Sequence, residues 1–420
     1  MTASAVRQAS DPRIAVSAPP VKVRIDAVDL LRGIIMVIMM LDHTRDFVHY
    51  QAAAFDPTNV ERTTVMLFFT RWITHFCAPL FVFLAGTGAY FQEMRGKPKG
   101  ELSRFLVTRG LWLIFVEIVV LRVVILFNFD YLGLAAFLQV IWAIGWSMIV
   151  LAALIHLPLA AVTSIGAGMV VLHNAFDGVQ VTSYGGPGTP VPGFWASIWH
   201  VLHVPGLIFP FGSHGPPTLV LYPLIPWIGV MALGYALGAL YKLTPLERRR
   251  ILIRAGLAVT AGFIVLRAIN IYGDPSPWAP RDTITKSVLS FLAVSKYPPS
   301  LLFLMMTIGP ALLFLVWADG KTSGPVSRFF ITFGRVPLFF YLLQWIVSHS
   351  LALIASVIAG KPTEYLFSNL GLAPPPPPGT GFGLPTVYAL WILGVLLIYP
   401  LCRWYAGVKA RRHDWWLSYL

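Results

Sequence analysis

From residue 28 to residue 404 the chain repeats one pattern: an apolar run of about twenty residues, then a short polar or Pro/Gly-containing break. A bilayer with a hydrocarbon core of roughly 30 Å needs about twenty residues of helix to cross it, so each run predicts a transmembrane helix. The runs lie near 28–48, 65–90, 105–127, 132–154, 157–173, 219–241, 251–271, 299–317, 329–358 and 385–404, giving ten spans. The expected fold is therefore all-α and polytopic. Residues 1–24, polar and Pro-containing, read as a disordered cytoplasmic tail, and 25–420 as one membrane domain.

Composition supports the membrane setting, since 57% of residues are hydrophobic and only 12% charged, with a mean hydropathy of +0.72. Lys and Arg test the count of spans, because they concentrate in alternate, cytoplasmic loops when the order of helices is right. They gather in "MRGKPKGELSR", "YKLTPLERRR", "ADGKTSGPVSR" and "RWYAGVKARRHD", together with Arg7, Arg13, Lys22 and Arg24 of the tail. The intervening set, including "GGPGTPVPG" and "APPPPPGTG", is poor in them. Both termini are thus expected in the cytoplasm. The net charge of +13 is accounted for by topology and anionic headgroups, which removes the argument for a nucleic-acid partner. Cys77 and Cys402 fall at distant places and predict no disulfide.

The first run, "DLLRGIIMVIMMLDHTRDF", departs from the pattern, carrying three Asp, two Arg and one His. At about 100° per residue, Arg32 and His43 are eleven positions apart and return to one face, separated by about 16 Å along the axis. Asp29 and Asp46 lie close to that face. Ionisable groups at membrane depth cost several kcal/mol unless they meet a partner or a wet cavity, so this row is a candidate site. Headgroup anchoring of Asp29 and Arg32, and an outer snorkelling cluster of Asp42, Arg45 and Asp46, form the structural alternative.

Imidazole can serve as general base or as nucleophile, which makes His43 the candidate catalytic group, with Asp42 or Asp46 orienting the ring. Arg32, with Asp29 and Arg45 beside the same row, offers a guanidinium suited to binding an anionic group of a substrate. Arg71 and His75, four apart in the second run, face the same way, and Pro79 leaves the His75 carbonyl without its helical donor, predicting a kink. Glu117 and Gln139 are polar residues in the third and fourth runs, and Arg71, Arg122 and Arg267 are candidate partners for Glu117. Gln344 and Ser348, four apart, suggest an interhelical hydrogen bond. Lys296 and Tyr297 of "SKYPPS" are candidates for lining a substrate entrance, with anchoring of the loop as the structural alternative. His200, His203 and His214 complete no recognisable metal-ligand set, so no metal is expected.

The opening "RIDAVDLLRG", with its Arg-to-His spacing, resembles the first helix of membrane acyltransferases of the acyltransferase-3 type. Blocks such as "LDHTRDF", "RWITHFCAPLFVFLAGTGAYF", "LVTRGLWLIFVE", "SKYPPSLLFLMMTIGP" and "FGRVPLFFYLLQW" resemble more closely the bacterial proteins related to the catalytic domain of heparan-α-glucosaminide N-acetyltransferase. The resemblance implies a multi-pass enzyme of the bacterial inner membrane. It implies an acyl group, acetyl by analogy, moved from cytoplasmic acyl-CoA to a hydroxyl or amine of an acceptor such as a sugar or envelope glycan outside. In the eukaryotic lysosomal branch the catalytic His lies in the first luminal loop, where this chain has only His49; the acyltransferase-3 spacing selects His43. The lipid bilayer, acyl-CoA, the acceptor and a second copy of the chain are the expected partners. A transporter, which also uses buried charges and broken helices, and a scaffold without chemistry are the competing classes.

Overall fold

A computed structural model describes residues 25–52, 54–212, 215–368, 376–412 and 414–419. The expected disordered tail and His214 lie outside them. Fifteen α-helices occur among the described residues. The first five are α1 (Asp26–Val48), α2 (Val65–Trp72), α3 (Cys77–Met94), α4 (Lys99–Phe115) and α5 (Arg122–Leu126). Then follow α6 (Val140–Leu154), α7 (Leu159–Leu172), α8 (Phe194–Leu202), α9 (Leu224–Ala239) and α10 (Pro245–Ile269). The last are α11 (Ile284–Leu292), α12 (Leu301–Ala318), α13 (Pro325–Gly334), α14 (Pro337–Ile358) and α15 (Leu384–Arg411). Helical segments occupy the places of all ten expected spans, and seven are long and apolar enough to cross a membrane. By length and composition these helices make the chain a multi-pass membrane protein.

Two of the expected spans are shorter than the apolar pattern suggests. The run at 329–358 is two helices, since Val336 precedes Pro337 and leaves the helical region at φ −132°, ψ 52°. The run at 132–154 starts as helix only at Val140, because Ala136–Leu138 is a strand, β1. It pairs in parallel with β3 (Thr218–Val220), which pairs antiparallel with β2 (Gly206–Ile208). This small sheet is an exception to the all-α expectation, and it ties the 127–139 and 203–223 connections together at one end.

Pro79 lacks the N–H that would close on the His75 carbonyl, and the chain tightens into a 3₁₀ turn, Ile73–Phe76, between α2 and α3. Helix α1 lies at the centre, packed against α3, α12, α13, α14 and α15. Its crossing with α13 is close enough that a Cβ on Gly33 would strike the Phe330 carbonyl, and one on Gly334 the Asp29 carbonyl. Gly86 of the "LAGTG" block likewise abuts the Met231 carbonyl of α9.

The segments rich in Lys and Arg collect at one end of the bundle. There Arg248 pairs with Asp319 at 2.9 Å and Tyr419 meets Thr108 at 2.7 Å. At the other end Lys286 reaches Glu61 at 3.4 Å, and Asn128 donates to the Phe367 carbonyl at 3.1 Å. Reporters fused within residues 246–250 and after Arg412 are expected to register on one side of the membrane, the cytoplasm. Opposite readings at the two fusion points would break the helix order.

Candidate functional site

Two cavities penetrate the bundle from its two ends. The one at the basic end measures about 540 Å³, and α1 contributes Val28, Asp29, Arg32 and Met36 to its wall. The one at the opposite end measures about 480 Å³, and α1 contributes Met39, Asp42, His43, Arg45 and Asp46. Apart from Arg45, these positions lie on one broad face of α1, which lines both cavities as its polar periodicity predicts. Phe81 of α3, Val140 of α6 and Tyr341 of α14 border both cavities. One layer of side chains therefore separates them.

Arg32 donates to Asp29 at 2.9 Å and to the Gly334 carbonyl at 3.1 Å, so α1 holds it against the end of α13. Arg95, Lys97, Arg109, Arg335 and Lys409 join it in the wall. Lys97 also lies over the Phe105 ring at 4.3 Å. The basic set comes from five separate parts of the chain, which is why the sequence shows it only as topology-determining charge.

At the opposite end, Asp42 is buried between Arg45, 3.0 Å away, and Arg71, which pairs with its second oxygen. Arg45 also meets Asp46 at 2.5 Å. The expected Asp42 or Asp46 contact with the His43 ring is therefore absent, because arginines occupy both carboxylates. Gln344 meets His43 Nδ1 instead, at 2.9 Å, and Trp345 stacks on the imidazole with centroids 3.7 Å apart and planes 18° apart. Arg45, Arg71, Gln139, Lys296 and Tyr297 all line this cavity, together with Asp56, Tyr222, Tyr341 and Trp345, which the sequence did not single out. The loop carrying Lys296 and Tyr297 is held by Asp274, whose carboxylate accepts from the Ser295 N–H at 2.9 Å and the Ser300 hydroxyl at 2.7 Å.

Other candidates lie elsewhere. His75 packs its ring against Phe303 at 5.4 Å and does not line the cavity. Glu117, in a π-helical turn Val116–Leu121, accepts from the Trp142 N–H at 3.0 Å. Its side chain there satisfies a free amide of the first turn of α6. The three arginines expected as its partners are engaged otherwise: Arg71 with Asp42, Arg122 with the carbonyls of Asp130 and Leu134, and Arg267 with four carbonyls including Ala293 at 2.7 Å. His200 contacts the carbonyls of Val204 and Thr182, and His203 meets Asp177 at 3.2 Å. His49 sits outside the cavity wall with a parallel backbone bridge to Phe382; burial, reinforced by the Arg45 cation, pushes its pKa down to about 4. Its imidazole is neutral at pH 7.

The fold and site thus describe a multi-pass helical bundle with cavities from both ends, a shared wall and a buried ionic cluster. The chain matches the sequence family described as heparan-alpha-glucosaminide N-acetyltransferase, catalytic, over residues 24–272, more than half its length. It belongs to that family, and is a membrane protein of the N-acetyltransferase type. No curated protein matches it. The matched stretch carries Arg32, Asp42, His43 and Arg71, whereas Lys296, Tyr297, Gln344 and Trp345 come from the part beyond it.

Proposed function

We propose that the protein is a transmembrane acetyltransferase of a bacterial inner membrane. Acetyl-CoA binds in the basic cavity from the cytoplasm, and the acetyl group passes to a hydroxyl or amine of an acceptor, a sugar or envelope glycan, in the outer cavity. The observation that carries this reading is the pair of cavities meeting at the Phe81–Val140–Tyr341 layer along one face of α1. Family membership supports the donor, since enzymes of this type use acetyl-CoA in general.

The residues divide the work by position. Arg32, Lys97 and Arg109 offer charge-assisted hydrogen bonds to the phosphates of CoA, and Phe105 offers a stacking surface beside them. Pantetheine is long and thin enough to carry the thioester to the layer between the cavities. His43 then takes the proton of the attacking hydroxyl or amine as the new bond to the acyl carbon forms. The carbon–sulfur bond breaks, and the thiolate of CoA recovers that proton from the imidazolium. Prior transfer of the acetyl group to the imidazole is the variant of the same scheme. Asp42, Arg45 and Arg71 hold the wall in which this happens, and Lys296 with Tyr297 borders the acceptor's path.

Titration of acetyl-CoA into the purified protein tests the donor station. Arg32→Ala is expected to weaken binding roughly tenfold or more, by the loss of about 1.5 kcal/mol from a charged hydrogen bond. Undiminished affinity in Arg32→Ala would take CoA out of this cavity. The carrier alternative is separated by following radiolabelled acetyl: covalent label on the acceptor supports the enzyme, and unmodified substrate crossing a vesicle supports a transporter.

A further inference from the structure

His43 and Gln344 are brought together from α1 and α14, and the details of their contact select one form of the imidazole. Gln344 is fully buried, and its NH₂ group donates to the Tyr341 carbonyl at 3.2 Å. Its Oε1 is the atom left facing His43 Nδ1, at 2.9 Å. An amide oxygen only accepts, so in the neutral ring Nδ1 carries the hydrogen and Nε2 carries the lone pair.

The next residue on α14, Trp345, stacks on the same ring and fixes its plane. One turn further along, the hydroxyls of Thr44 and Ser348 meet at 3.1 Å, which locks the register of the two helices. The ring plane, the ring edge and the helix register are thus all set by α14. In hydrolytic triads a carboxylate orients the imidazole, but here the two nearby carboxylates are committed to Arg45 and Arg71. An amide gives the same orientation without placing a negative charge beside the ring.

We propose that Gln344 is a positioning residue for the transfer reaction, holding His43 in the Nδ1–H tautomer so that Nε2 is the nitrogen presented to the reactants. This rests on the reading of His43 as the reactive imidazole. Gln344 lies beyond the stretch matched by the family, residues 24–272.

The test uses the full-length protein in detergent with two readouts. Nitrogen-15 NMR of histidine-labelled protein reports the tautomer without any acceptor. The wild type is expected to show a protonated Nδ1 at His43, assigned by its loss in His43→Ala, and Gln344→Leu is expected to lose that signature in favour of the Nε2–H form. Release of CoA from acetyl-CoA, with glucosamine as acceptor probe, reports the rate. Gln344→Leu is expected to lower kcat roughly ten- to a hundredfold while the KM for acetyl-CoA stays within about twofold. The isosteric Gln344→Glu keeps the volume and places a carboxylate on the ring, and is expected to move the acid limb of kcat/KM upward by roughly one pH unit. An Nε2–H signature in the wild type, or an unchanged tautomer in Gln344→Leu together with an unmoved pH profile in Gln344→Glu, overturns the proposal. Full turnover by His43→Ala would instead remove the underlying reading of the site, so the two failures are told apart.

Discussion

Replacing His43 by Ala is expected to leave a folded protein that binds acetyl-CoA with wild-type affinity and transfers acetyl roughly a hundred- to ten-thousandfold more slowly. The separation of binding from chemistry follows from position. His43 lies in the wall of the outer cavity, about 16 Å along α1 from Arg32 in the basic one, beyond the layer that divides them. Two side chains that far apart address different parts of an extended donor, and only one of them can touch the thioester carbon. Calorimetric titration of acetyl-CoA, run beside a turnover assay on the same preparation, reads both quantities. Loss of donor binding in His43→Ala would mean that the nucleotide lies in the outer cavity and that the two stations are exchanged.

The second large effect is expected on stability. Asp42→Ala removes the carboxylate that Arg45 and Arg71 share and leaves two buried guanidinium groups beside one another, Arg45 keeping only the partly exposed Asp46. Breaking a buried pair by deleting one member costs roughly 3–5 kcal/mol, because the remaining charge has lost its compensation inside the protein. Asp46→Ala is the control: its side chain is 37% exposed, and such pairs contribute about 1 kcal/mol or less. Thermal unfolding in detergent should therefore drop strongly for Asp42→Ala and little for Asp46→Ala. Equal stability of Asp42→Ala and wild type, with turnover lost, would return Asp42 to a catalytic role.

The helical places and the shared face of α1 were legible because both depend on periodicity within one segment, and periodicity is local. The run of Asp29, Arg32, Asp42, His43 and Asp46 predicts a polar wall, and these five residues line the two cavities. What the sequence does not disclose is pairing. Gln344 stands 301 residues from His43, and Arg71 stands 29 from Asp42, so no spacing rule reaches either contact. Neighbouring carboxylates suggested an Asp–His pair, but the longer reach and charge of Arg45 and Arg71 captured them. Glu117 was legible as a buried acid in need of a partner. The partner is a backbone amide, which every residue but Pro possesses and no sequence pattern marks. Strands of three residues, such as Ala136–Leu138, are too short to show alternation and were absorbed into an apolar run.

The single layer formed by Phe81, Val140 and Tyr341 has an electrical meaning. Where water and ions fill two cavities that meet back to back, each carries the potential of its own side inward, and the voltage of the membrane falls across the thin barrier between them rather than across the full hydrocarbon depth. An elementary charge moved through the whole of that drop gains or loses about 2.3 kcal/mol per 100 mV. The three side chains thus act as the dielectric of a capacitor set inside the protein. If the protein moves acetyl from a nucleotide donor as proposed, the neutral acetyl group would cross this barrier without electrical work, whereas the anionic nucleotide would be held back on its own side.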